Sequence, residues 1–416
     1  MRAALNGLLP LALLTGLGCR ARQSYETAIP IDDTFPRQPV TGALLERYEA
    51  AARWSEARDG LALVILKGDA VIFESYARRY DPTTPIHIFS GTKSFSCALA
   101  LLLEADGALR LDEDVRDTLP ELAAGAGVTP DTLLHFTSGI AQDNRALTRD
   151  GLMEEQTIDD KYAYAVGLPS ESAPGEVFVY GSSHQAVLGA LITAKIGQSP
   201  LEYLEERLFT PMGMRFGGWN HDPAGNPMLA YGAWTTANEW LKYGVLLRDG
   251  GLWQGEALLP EGGVDRCTTG SAANPAYGMT LWLNEDVADE VDLSAFASLA
   301  DDGRILDPDG PADLFAAAGY KDNRLVVVRQ LSLRALRSAR ILYEPVLVAV
   351  IGTRSSGERA WAGRCSGRLR RGRLCAVAHF ASPLSSATPR APARSGSATT
   401  RGPGRHRAQR SSGCCG

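Results

Sequence analysis

Metal-binding spacings are missing from this sequence: neither a His-Glu-x-x-His nor a Cys-x-x-Cys element occurs in its 416 residues. Cys19, Cys97 and Cys267 lie far apart, and the other four cysteines, Cys365, Cys375, Cys414 and Cys415, fall close to the C-terminus. No catalytic metal and no other cofactor is expected. A disulfide framework in the body is not expected either, although a single Cys97–Cys267 pair stays open. Positive charge is also missing where a nucleic-acid partner would need it. Residues 354–416 hold thirteen arginines and one acid, Glu358, which leaves 29 basic and 47 acidic residues before them. The body is therefore near −18, with no interleaving of basic and aromatic residues, and a nucleic-acid-binding surface is excluded there.

The N-terminus carries Met1-Arg2, the apolar run Leu8-Leu9-Pro10-Leu11-Ala12-Leu13-Leu14, and Leu17-Gly18-Cys19. This reads as an export signal over residues 1–19, too short for a stable membrane span. The residues before Cys19 loosely resemble a lipoprotein cleavage box, so attachment to a membrane through lipidated Cys19 is one expectation and simple release the other. Residues 20–42, rich in proline and polar groups, are expected to form a linker. From about residue 353 to the end, the arginine-, serine-, proline- and glycine-rich text lacks apolar periodicity and is expected to be a disordered or aberrant tail.

Lysine is scarce as well, with six in the whole chain, and Lys93 alone has a serine three positions before it, in Ile88-Phe89-Ser90-Gly91-Thr92-Lys93-Ser94. On a helix that spacing puts both side chains on one face. A serine hydroxyl needs a base to become a nucleophile, and a buried lysine can serve because desolvation lowers its pKa. The same residues also fit a plain helix cap with a solvated lysine.

Around this stretch the periodicity predicts a helix over residues 42–58 and a hairpin from Leu61–Leu66 and Ala70–Tyr76. The Ser90 helix should continue to about Glu104, ahead of Asp106-Gly107. A short helix should start at Thr129-Pro130 and close in the Ser138-Gly139 turn. Helices over 185–195, 201–208 and 235–248 follow. Strand character returns at Asn274–Asn284, Arg324–Val328 and Ile341–Ile351. The pattern points to an antiparallel sheet with helices against it, the strands bracketing a largely helical region. His135 sits among leucines and reads as structural rather than as part of a Ser-His-Asp triad. Tyr180, at a loop-to-helix junction, is either a packing residue or, if the fold brings it to Ser90, a proton shuttle.

In this order, the elements resemble the serine β-lactamase and penicillin-binding-protein superfamily, in particular its class C-like branch with esterases and 6-aminohexanoate-dimer hydrolase. Ser90-Gly91-Thr92-Lys93 resembles the first motif. Leu133-Leu134-His135-Phe136-Thr137-Ser138-Gly139 is similar to the family's Leu-Leu-x-His-Thr-Ser-Gly, with Phe136 in place of its histidine. Tyr180-Gly181-Ser182 resembles the Tyr-x-Asn segment, and Pro211-Met212-Gly213-Met214 a Pro-Leu-Gly-Met turn. The resemblance implies an α+β domain over residues 43–352, an antiparallel sheet flanked by helices with a helical region inserted between its strands. It also implies Ser90 as nucleophile, Lys93 and Tyr180 as proton-transfer groups, and an oxyanion hole from the backbone amides of Ser90 and Tyr320. Ser182 and Gly319 would contact substrate. Trp219 is a further candidate substrate contact, in an apolar acyl pocket with Trp234, Trp282 and Tyr277, against the plainer reading of all four as core aromatics.

Two departures shape the expected activity. Ser182 replaces the usual asparagine, and Ala317-Ala318-Gly319 stands where the third motif, Lys-Thr-Gly or His-x-Gly, would be. With no cation there, carboxylate binding should be weaker by about tenfold to a hundredfold. The expectation is a serine hydrolase acting on a small-molecule ester or amide. A β-lactamase or D-alanyl-D-alanine carboxypeptidase is the alternative among enzymes, and a sensor that has lost turnover the alternative outside them.

Overall fold

A computed structural model describes residues 27–143, 158–288, 310–329 and 346–351, with the single positions 291 and 306. All of these belong to one compact unit, residues 1–381. The export signal, Cys19 and the arginine-rich tail lie outside the described residues.

Helix α1 (Gly42–Glu56) precedes the hairpin of β1 (Ala62–Lys67) and β2 (Ala70–Tyr76). Gly68 turns the hairpin at φ +56°, a conformation that costs glycine nothing. After β3 (Ile86–His87) comes a 3₁₀ turn over Phe89–Ser94, which runs into α2 (Phe95–Ala105). Next are α3 (Pro130–Leu134), α4 (Lys161–Val166), α5 (Ser183–Ile196) and α6 (Pro200–Leu204). A π turn over Glu205–Phe209 extends α6, where the sequence predicted one regular helix to residue 208. Strands β4 (Gly218–Trp219) and β5 (Ala233–Thr235) then lead to α7 (Ala237–Arg248). The chain continues through β6 (Leu252–Trp253), β7 (Glu256–Ala257), α8 (Gly263–Cys267), β8 (Trp282–Leu283), β9 (Leu314–Gly319), β10 (Asn323–Val328) and β11 (Val346–Ile351).

The main sheet has the order β2-β1-β11-β10-β9-β8, with every pairing antiparallel. Of the strand expected over Asn274–Asn284, two residues pair in this sheet, because a glycine-containing loop takes up the rest. Strands β1, β9 and β10 are buried on both faces along most of their length, so they read as near-continuous apolar runs rather than alternating ones. On β10, Leu325 and Val327 enter the cluster shared with α2, α5 and α7, while Val326 and Val328 enter the cluster with Tyr48 of α1 and Phe178. Phe95 to Leu103 of α2 are all buried. A helix apolar all round must sit inside, and each large side chain there contributes roughly 1.5–3 kcal/mol.

Two features bear on the sequence expectations. Residues 27–41, within the expected linker, pack on the body: Ile29 and Phe35 are buried, and the backbone of Gln38 and Val40 bonds to Val71 and Ile72 of β2. Asp32 also bridges Arg215 (3.1 Å) and Lys242 (2.7 Å), which share Glu239 of α7. Burial acts to raise the Asp32 pKa, but hydrogen bonds from Lys242 and Thr34 outweigh it and hold the carboxyl down at about 2. Composition signalled a tether because these anchoring contacts span some two hundred positions. The second feature is a disulfide joining Cys97 of α2 to Cys267 of α8, with Cα atoms 6.0 Å apart. This is the single pair that the sequence left open, and a separation of 170 residues gave it no spacing signature.

Candidate active site

Ser90 lies on the 3₁₀ turn, not on the α-helix that the spacing predicted. In a 3₁₀ turn, residues i and i+3 eclipse, which brings a serine and a lysine three apart into direct register. Lys93 Nζ donates to Ser90 Oγ at 3.1 Å and to the carbonyl of Ala230 at 2.8 Å. Lys93 is 3% exposed and forms no ion pair among the described residues. Burial without a counter-charge drives its pKa down to about 7, where an amine can act as a base near neutrality. Phe89, just before Ser90, is held at φ +48°, a left-handed conformation that costs a bulky residue about 1 kcal/mol or more.

Tyr180 arrives from the loop before α5. Its hydroxyl is hydrogen-bonded to Ser90, and Lys93 Nζ lies 5.2 Å from its ring centroid. Burial raises its pKa, the Ser90 bond and the charge of Arg324 lower it, and the balance stands at about 12. At neutral pH this phenol is protonated. Trp282 stacks on it (centroids 5.5 Å, 22°), with Phe136 at 5.3 Å and Tyr277 at 6.0 Å. Trp282 and Tyr277 are 3% and 1% exposed, so they fix the Tyr180 ring from behind instead of lining an open acyl pocket.

The other expected positions divide. Gly319 ends β9 directly against the serine turn, where an added Cβ would lie 2.0 Å from the Ile88 carbonyl oxygen and 3.0 Å from the Gly91 nitrogen. Only glycine permits that approach. It carries Tyr320 to the mouth of the site, with the Tyr320 ring edge-on to Phe89 at 5.5 Å and 70% exposed. Ser182 is buried at the start of α5 and lines a small space with Lys161, Ala230 and Tyr231. Trp219 does not join the site. It packs in the core against Phe95, Phe209 and Phe216, and the pocket role expected of it is corrected. Trp234 is half-buried and stacks on His87 at 4.8 Å. His135 bonds to the carbonyls of Asp131 and Thr269, and Ser138 bonds to His184, so neither forms a triad with Ser90.

The structure adds a group that motif reading missed. Arg324 on β10 pairs in register with Ala318 of β9 and is 4% exposed. Its Nη atoms make no hydrogen bond, and Asp322 is its ion-pair partner at 3.7 Å. The neighbouring strand thus carries a buried cation that is electrostatically coupled to Tyr180. Counting the hairpin register back from Arg324 to Ala318 is the signal that could have found it. Among the described residues no group of His, Cys, Asp and Glu side chains is arranged to hold a metal, and no helix is long and apolar enough to cross a membrane.

A mixed helix-and-antiparallel-sheet fold with serine, lysine and tyrosine converging at the sheet edge defines a β-lactamase/transpeptidase-like protein. Residues 45–324 match the Beta-lactamase family, and the chain belongs to it. Among curated relatives, PbpX of Bacillus subtilis is 27% identical over 170 residues, covering 38% of this chain and 41% of PbpX. The 6-aminohexanoate-dimer hydrolase of Paenarthrobacter ureafaciens is 24% identical over 258 residues, covering 58% of this chain and 66% of that protein. The chain therefore spans less than two thirds of either relative. A solved structure from Bacillus anthracis, named for 6-aminohexanoate-dimer hydrolase, superposes with a TM-score of 0.60 at 14% identity, covering 79% of this chain and 84% of that one.

Proposed function

We propose that the chain is a serine hydrolase that opens a small-molecule ester or amide through an acyl-enzyme on Ser90. The observation that carries this reading is the contact of Lys93 Nζ with Ser90 Oγ, made by an amine that burial has turned into a base. In the first half-reaction Ser90 Oγ bonds to the substrate carbonyl carbon while Lys93 takes the hydroxyl proton. The developing oxyanion is held by the amides of Ser90 and Tyr320. The bond to the leaving oxygen or nitrogen then breaks, the Tyr180 phenol supplies the leaving group's proton, and Lys93 returns a proton to Tyr180. Water repeats the sequence in reverse to free the acid.

A fluorophosphonate should label one residue, Ser90, identified by peptide mass spectrometry. Hydrolysis of a nitrophenyl ester should rise about tenfold between about pH 6 and pH 8, because neutral Lys93 accumulates as pH climbs through about 7. Labelling at another residue, or a pH-independent rate, would sink the reading. Stable labelling with no turnover would indicate a binding or sensor protein.

Arg324 favours a second reading, a β-lactamase or D-alanyl-D-alanine carboxypeptidase, since a buried guanidinium held, among the described residues, only by a 3.7 Å ion pair to Asp322 suits a carboxylate-bearing substrate. Nitrocefin, a D-Ala-D-Ala peptide and short neutral esters should be compared. The expected result is faster turnover of the neutral esters. Under the second reading, nitrocefin or the peptide would win, and Arg324→Met would cost that substrate about tenfold to a hundredfold.

The disulfide supports an oxidising location, in keeping with an export signal and with attachment through Cys19 as part of the proposal.

A further inference from the structure

Val179, the residue before Tyr180, has both of its polar backbone groups held by one cluster. Its N–H donates to the carbonyl of Phe136 at 3.0 Å, and its carbonyl lies 2.9 Å from His184 Nε2. A carbonyl can only accept, so Nε2 carries the proton and Nδ1 is left as the acceptor. Nδ1 is 2.8 Å from Ser138 Oγ, which therefore donates to it, and the Ile140 N–H donates to that Oγ at 3.3 Å. The imidazole is 1% exposed and stacks on Phe136 with centroids 4.7 Å apart and planes at 14°. Phe136, itself left-handed at φ +59°, also touches the Tyr180 ring. The side chain of Val179 contributes little to this hold, being 39% exposed.

We propose that His184 is a positioning residue for Tyr180, fixing the Val179 carbonyl so that the phenol keeps its alignment between Ser90 and the leaving group. This rests on the reading of Tyr180 as the leaving group's proton donor. Burial and the nearby Lys93 charge lower the His184 pKa to about 4, so the ring stays neutral, in the tautomer this hold requires, across the working range. Ser138 sets that tautomer from the other side of the ring. The arrangement couples the Phe136-Thr137-Ser138-Gly139 segment to the proton donor, although no residue of that segment reaches Ser90 with a polar group among the described contacts.

A proton donor matters most when the leaving group is poor. The full chain carrying His184→Ala, with His184→Gln as the conservative variant, should be assayed on a nitrophenyl ester and on an alkyl ester of the same acid. Fluorophosphonate labelling, whose fluoride needs no proton to leave, is measured beside them. We expect His184→Ala to lower kcat on the alkyl ester about tenfold to a hundredfold, with KM within about twofold. The nitrophenyl rate and the labelling rate should fall by no more than about threefold, and glutamine, which retains an N–H donor, should recover most of the loss. An equal loss on both esters and in labelling would overturn the inference, because that is what general damage to the fold produces. Tyr180→Phe separates the two levels of argument. If it leaves the alkyl ester rate intact, the reading of Tyr180 fails; if it abolishes that rate while His184→Ala does not lower it, only the positioning role fails.

Discussion

Replacing Lys93 with methionine is expected to abolish ester hydrolysis and, in the same protein, to raise the melting temperature. The ammonium is buried, and its partners are a hydroxyl and a carbonyl rather than a carboxylate. Its folded-state pKa of about 7 lies below the ordinary 10.5, so the folded chain binds this proton less readily than the unfolded one. Stability linked to the group is therefore fully present above about pH 10.5, falls as pH drops, and is lost once pH passes below about 7. At neutral pH the wild type still carries most of the penalty. Methionine, of similar length and without charge, removes it. The Ala230 carbonyl then loses a donor, and that partial offset leaves a net gain of about 1–3 kcal/mol. Loss of the general base should cost at least about a hundredfold in kcat, and loss of nucleophile activation more. Calorimetry and an ester assay at neutral pH check both halves. A variant that melts lower while remaining active would contradict the assignment of Lys93 as a destabilised, functional base.

Removing the Cys97–Cys267 bond by a double serine substitution should cost about 2–5 kcal/mol. The bond closes a loop of 170 positions, long enough for the entropic constraint on the unfolded chain to approach the upper part of that range. The measurement is a urea unfolding midpoint with and without reductant. The wild type should shift to the position of the double variant when reduced, and the variant should not respond. Coinciding midpoints in oxidised wild type and variant would show that the bond does not stabilise the fold. Turnover should change little in conditions where both are folded, because α2 beneath Ser90 is held by an apolar core on every side.

The two expectations differ in how visible they were. The serine-lysine spacing stands in plain text, as does the order of the motifs around it, because each is local. Even so, spacing predicted an α-helical face where the chain makes a 3₁₀ turn, with Phe89 in a left-handed conformation and Gly91 close against Trp240 and Gly319. Arg324 escaped notice because its importance comes from a cross-strand register, not from neighbours in sequence. His184 escaped for a similar reason, since its partners lie at Ser138 and Val179. Trp219 was misread because an aromatic near a motif looks the same in sequence whether it faces substrate or core. Residues 27–41 show the opposite error, in which polar composition concealed an anchored segment.

The strand order places β11 between β1 and β10, although β11 is the last of the six to be made. During synthesis β1 and β2 emerge early and β10 much later, and the slot between β1 and β10 stays vacant until residues 346–351 follow. A nascent chain stopped short of that point would present two apolar, hydrogen-bonding strand edges to its surroundings. The sheet can therefore be sealed only as a late, long-range event, which makes the interval before closure the period when a chaperone has most to protect.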